Sequence, residues 1–173
     1  ALGNVVERPC SEFRVPYMAC KGYLSASQAW RAGERFEAAM DNGRNAVLIH
    51  LGDHDPSGID MTRDNSVRLE VFTRQNVEVR RIALNMDQVR RYNPPPNPAK
   101  MTDTRANDYV ARYGDESWEL DALQPEVIDR LIRDEINSLI DGYIWNEDIE
   151  RERENRALLR KLHSNWEKTY QFM

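Results

Sequence analysis

Cysteine, long apolar runs and excess positive charge are all scarce in this chain. Only two cysteines occur, Cys10 and Cys20, with no CxxC pair between them. That excludes a disulfide framework and a cysteine-based zinc site, and it suits buried thiols in a reducing cytoplasm. The longest apolar runs, such as Ala46 to Ile49, are far too short to cross a bilayer, so no membrane partner is expected. The N-terminus lacks the basic segment and apolar core of a signal peptide. The formal net charge is −5, where a nucleic-acid protein is usually basic. That balance counts only mildly against such a partner, because a local basic surface can coexist with an acidic whole. There is no internal repeat. What is present is 40% apolar and 31% charged residues in 173, a globular balance with enough chain for one domain and an appendage.

The apolar spacing predicts alternating elements. Val5, Val6, Cys10 and Phe13 recur at helical spacing from Leu2 to Phe13. Val15 to Cys20 reads as a short strand, with Pro16 near its start where a missing N–H is tolerated. Ser25 or Ser27 caps a helix through Trp30, Phe36 and Met40, which Asp41-Asn42-Gly43 ends. Ala46 to Leu51 is nearly all apolar, as in a central parallel strand covered on both faces. A helix from Ile59 to Thr73 and a strand from Val77 to Leu84 follow. This order predicts an α/β fold, a Rossmann-like parallel sheet flanked by helices with right-handed crossovers. Residues 1–92 form that domain, and 93–118 form a connector and loop opened by Asn93-Pro94-Pro95-Pro96-Asn97-Pro98. Residues 119–173 form a helical extension. In it, Pro125 opens a helix to about Ile140 carrying Val127, Leu131, Ile132, Ile136 and Leu139. A last helix from Asp148 to Tyr170 is highly charged, with a narrow apolar seam at Leu158, Leu159, Leu162 and Trp166. It is a candidate homodimer contact, although no heptad is sustained.

Chemistry concentrates in Asp53-His54-Asp55-Pro56-Ser57-Gly58, beyond the carboxyl end of a strand, where parallel sheets bind ligands. Alternate residues of an extended stretch point the same way, so Asp53 and Asp55 can converge on one hard cation, Mg²⁺ or Mn²⁺. Pro56 stiffens the turn, and Gly58 allows close backbone approach or a positive φ. Helix start signals follow, aiming amides at the loop and favouring phosphate. In the competing reading the aspartates only cap a helix. The buried-looking strand and the Pro and Gly favour the metal. His54 suits a phosphate or water contact better than a magnesium ligand, which is rarely imidazole. Ser57 lies in the same loop as a further nucleic-acid contact. Lys21, Ser25 and Ser27 sit at the end of the preceding expected strand, either as phosphate contacts or as a cap with a surface lysine. Glu119 and Asp121 either approach the same cation or complement a helix dipole. His50 is expected at the core edge and His163 in solvent. Asp60 and Asp64 balance charge at a helix start. Arg80, Arg81, Arg90 and Arg91 are either backbone-binding residues or ordinary surface charge.

Leu51-Gly52-Asp53-His54-Asp55-Pro56-Ser57-Gly58 resembles the DxD segment of Toprim domains, in the flavour of the topoisomerase VI A subunit and its meiotic double-strand-break relatives. Ala1 to Leu84 follows the expected element order. Glu119-Leu120-Asp121-Ala122-Leu123 with Pro125-Glu126 is similar to a segment of phage and prophage proteins of this type. The resemblance implies catalytic Asp53 and Asp55 holding Mg²⁺, DNA as substrate, strand cleavage or transesterification, and a bacterial or phage-infected cytoplasm. It also implies a glutamate just upstream of Ala1 and, in some relatives, a tyrosine on an upstream winged-helix domain. The residues in hand would then act weakly alone. A self-contained Toprim nuclease and an inactive scaffold that binds DNA or protein are the alternatives.

Overall fold

The computed structural model describes residues 2–20, 22–100, 102–166 and 170. It is α/β and separates into two compact units, Ala1–Glu135 and Ile136–Met173. No helix among the described residues is long and apolar enough to cross a membrane.

In the first unit, α1 (Leu2–Phe13) buries Pro9 and Cys10. The expected strand at Val15–Cys20 does not form. The segment is irregular, because Pro16 offers no N–H and most of its side chains face solvent. Met18 alone among them packs against the buried cluster of Ala32, Leu69 and Val77. Helix α2 (Ala26–Asp41) starts at Ser25, whose Oγ accepts from Gln28 N while the Gln28 side chain accepts from Ser25 N. This reciprocal cap satisfies two backbone donors that a helix otherwise leaves open.

The sheet has two strands, β1 (Val47–Leu51) and β2 (Glu78–Ala83), paired in parallel from Val47↔Glu78 to Leu51↔Ala83. The register slips between His50 and Leu51, adding one residue to β2. Helix α3 (Pro56–Thr73) connects them, and α2 packs along it. The helices meet closely at Gly33, where a Cβ would lie 2.7 Å from Phe72 Cβ. Leu69, Val77 and Ala32 sit at the centre, with Phe36, Met40, Leu48 and Val79 around them. All five β1 residues are half-buried, less covered than a central strand would be.

Beyond β2, two helices escaped the sequence reading. Helix α4 (Met86–Tyr92) and α5 (Ala106–Tyr113) are short, and their polar starts hide any 3.6-residue period. Two-residue strands β3 (Asn97–Pro98) and β4 (Glu116–Ser117) pair antiparallel. A 3₁₀ turn (Leu120–Ala122) leads into α6 (Pro125–Leu139). Its most buried positions in this unit are Ile128 and Ile132, one turn apart; Ile132 belongs to the expected apolar side, Ile128 was not among its expected residues, and Val127 and Leu131 are half-buried.

The second unit contains α7 (Gly142–Ser164), six residues earlier at its start than the sequence suggested. Asp141 caps it by accepting from Tyr143 N and Ile144 N.

Truncating Leu69→Ala should cost about 3 kcal/mol of unfolding free energy, because the side chain is fully buried at the meeting of α2, α3 and β2. Val71→Ala, on the exposed side of the same helix, should cost under about 0.5 kcal/mol. Urea denaturation of the two variants measures the contrast.

Candidate metal centre

The end of β1 is held from both sides. Gly52 N donates to Ala83 O at 2.9 Å and Leu84 N to Gly52 O at 2.8 Å, so pairing with β2 continues past the strand. On the other side His54 and Trp118 exchange two backbone bonds, at 2.8 and 3.0 Å. The acidic loop is therefore an extended segment clamped between β2 and the chain that precedes α6.

Asp53 is exposed, and its Oδ1 accepts from Leu120 N at 2.8 Å. Its Oδ2 has no hydrogen bond among the described residues. Asp55 is the N-cap of α3: its Oδ1 accepts from Gly58 N at 2.5 Å and from Ser57 Oγ at 3.1 Å. Pro56 stands at the first helical position, where no N–H is required. Gly58 serves close approach. A Cβ there would lie 2.2 Å from Asp53 O.

Arg81, on β2, organises the loop. Nη2 donates to Asp53 O at 2.6 Å, Gly52 O at 2.9 Å and Leu84 O at 3.2 Å, and Nη1 donates to Gly58 O at 2.9 Å and Thr62 Oγ1 at 3.2 Å. Its Nε is buried without a hydrogen-bond partner among the described residues. Burial pushes the guanidinium pKa down, and the nearby Asp53 and Asp55 carboxylates oppose that shift. A fixed positive charge thus offsets part of the repulsion between the two aspartates.

His50 and His54 both belong to the protein's interior chemistry. His50 Nδ1 lies 3.0 Å from Thr62 Oγ1, and burial followed by the Arg81 charge brings its pKa down to about 4. His54 is 2% exposed, with its ring against Tyr109, Tyr113 and Trp118. The Tyr109 hydroxyl lies 2.7 Å from His54 Nδ1, 2.8 Å from His54 O and 3.0 Å from Glu116 O. One hydroxyl proton goes to a carbonyl, which leaves Tyr109 Oη to accept from an Nδ1–H tautomer. The expected phosphate contact by His54 is therefore corrected. Three aromatic rings and the Trp118 strand cover it, and burial holds its pKa below the usual value.

The remaining candidates divide. Ser57 points back to Asp55, and Ser25 and Ser27 lie 3.2 Å apart at the start of α2, where Ser25 caps the helix. Lys21 lies outside the described residues. Glu119 and Asp121 are exposed and flank Leu120, whose N–H meets Asp53. Among the described residues no three His, Cys, Asp or Glu side chains converge as a ligand group. Asp60 does more than balance a helix end. It accepts from Tyr23 Oη at 2.7 Å and from Arg105 Nη1 at 3.1 Å, which ties three chain segments together. Reading outward from the acidic loop did not find the part played by Tyr109, Trp118 and Leu120. Arg81 carried no distinct signal either, because Glu78 and Arg80 are charged residues of the same strand.

Two outcomes are expected. A Gly58→Ala variant should lose at least about 2 kcal/mol of stability, because its Cβ meets a backbone oxygen that cannot move without breaking the Arg81 bonds. A depressed histidine pKa makes the folded state bind fewer protons, so stability is lost as pH falls from about 6.5 toward 4, by up to about 3 kcal/mol for His50. Urea midpoints across that window should fall more steeply for the wild type than for His50→Asn. Parallel curves would remove His50 as the cause.

No family model, no curated protein and no solved structure matches the chain, so the reading of this centre rests on its own geometry.

Proposed function

We propose that the loop from Asp53 to Gly58 is a divalent-cation site of the Toprim type that acts on nucleic-acid phosphodiesters, with DNA as the substrate. The observation that carries this reading is Asp53. It is an exposed carboxylate beyond the carboxyl end of a parallel strand, fixed through one oxygen with the other open, beside the start of α3.

The donor set fits the ion. Mg²⁺ takes oxygen ligands, is held by one or two carboxylates, and keeps waters and substrate phosphates as its other partners. Asp53 and Asp55 would hold it, and the exposed Glu119 and Asp121 lie on the segment that meets Asp53. Bound there, the cation supplies stabilisation of negative charge on the phosphoryl group. The chain's own groups do the positioning. Leu120 N–H orients Asp53, Gly58 N–H orients Asp55, and Arg81 holds the loop backbone. The first turn of α3 adds a positive dipole end that favours an anion. No residue described here is assigned as nucleophile or general acid. In this reading those groups belong to the same larger enzyme, a topoisomerase- or nuclease-type one.

One observation favours a second reading, an inactive scaffold of the same fold family. Asp55 already serves as a helix cap, and a carboxylate satisfied in that way can persist without a metal.

Calorimetric titration with Mg²⁺ and Mn²⁺ separates the two. Asp53→Asn and Asp55→Asn are the informative variants, since asparagine keeps the cap at position 55 and removes only charge. The wild type should bind one ion, and each variant should bind at least about tenfold more weakly. Equal heats in all three proteins would end the metal reading and leave the scaffold.

A further inference from the structure

Three aromatic rings surround His54, and two of them come from one helix face. Tyr109 and Tyr113 stand four residues apart on α5, so both side chains lie on the same side. Their ring centres are 5.1 Å apart, and the Tyr113 ring meets the His54 ring edge-on at 4.7 Å and 86°. The two hydroxyls have different fates. That of Tyr109 is committed to His54 and Glu116. That of Tyr113 has no hydrogen-bond partner among the described residues. It is not sealed away either. Tyr113 is half-buried, and among the described residues Arg81 Nε is the one side-chain polar atom buried without a partner. The ring is therefore held while the hydroxyl is open to water. Packing alone would be served as well by phenylalanine.

After burial, the groups that act on the Arg81 charge are the Asp53 and Asp55 carboxylates and then the Tyr113 and Tyr109 hydroxyls. The Tyr113 hydroxyl thus stands with both carboxylates around one guanidinium. Other donors near the acidic loop are committed. Leu120 N–H bonds Asp53, Gly58 N–H and Ser57 Oγ–H bond Asp55, and His54 N–H bonds Trp118. Both terminal nitrogens of Arg81 are held by backbone carbonyls and Thr62. We infer that the Tyr113 hydroxyl is a substrate contact of this loop, donating to a phosphate oxygen of DNA held there. The inference rests on the cation reading above and adds a residue that grips the phosphate. A phosphate approaching two carboxylates gains from an uncommitted donor, and a bond to its charged oxygen is stronger than one to a neutral acceptor. A pinned ring loses little rotamer freedom when its hydroxyl bonds, so little entropy opposes the contact.

Tyr113→Phe in the full chain tests this, because it removes one oxygen and keeps the ring against His54. Binding of a fluorescent DNA duplex, read by anisotropy with Mg²⁺ present, should weaken at least about tenfold, the scale of one hydrogen bond to a charged group. Mg²⁺ affinity by calorimetry and the urea midpoint should match the wild type, since the hydroxyl has no protein partner to lose. With EDTA in place of Mg²⁺ the two proteins should bind alike. Tyr143→Phe, at a solvent-facing tyrosine of α7, should change nothing. Equal curves for Tyr113→Phe and the wild type in Mg²⁺ overturn the inference and leave the metal reading intact. A lowered urea midpoint gives the hydroxyl a structural role and overturns it too. So does a gap that persists in EDTA, which marks a contact independent of the cation. A wild type that takes up no Mg²⁺ removes the metal reading itself, and this inference falls with it.

Discussion

The guanidinium of Arg81 holds the carbonyls of Gly52, Asp53, Gly58 and Leu84 in one place. Those four oxygens belong to the end of one strand, the loop after it, the first turn of a helix and the end of the neighbouring strand. Without a donor at their centre, four inward carbonyls would repel one another, and those of Asp53 and Leu84 would lose the Arg81 bond that satisfies them. A charged donor meets that need more strongly than a neutral one. It also places positive charge under two carboxylates that would otherwise push the loop open. The cost is the burial of a cation, visible in its lowered pKa and in an Nε without a partner among the described residues.

The geometry of the acidic loop follows from that clamp. With the Asp53 carbonyl pinned, α3 must start within contact of it, and only a residue without Cβ fits at position 58. The antiparallel exchange between His54 and Trp118 turns His54 into the aromatic interior and leaves Asp53 facing outward, as alternation along an extended segment requires. The same exchange delivers Leu120 N–H to Asp53. One loop thereby carries an inward residue that packs, flanked by two carboxylates that are oriented by backbone amides.

Much of this was legible in the sequence where the signal was local. The cap at Ser25, the strand ending at Leu51 and the start of α6 at Pro125 are each specified by residues within one turn of the feature, whereas α3 starts at Pro56, three residues before the expected Ile59. Short-range signals failed where long-range pairing decides. Val15 to Cys20 has the composition of a strand but finds no partner edge, and a strand exists only through its partner. The helices at 86–92 and 106–113 are too short for periodicity to show, and packing against the rest of the unit maintains them.

At the candidate centre the division is similar. The sequence by itself determined that two carboxylates stand one residue apart after an apolar strand, that Pro and Gly shape the turn, and that a helix begins at once. These are matters of spacing and backbone preference. Only the tertiary structure decided that the residue between the carboxylates is buried, that Asp53 stays exposed, and that residue 120 reaches residue 53. Each of those depends on contacts between segments tens of residues apart. No local preference encodes such contacts, because they form only when the whole unit closes around Arg81.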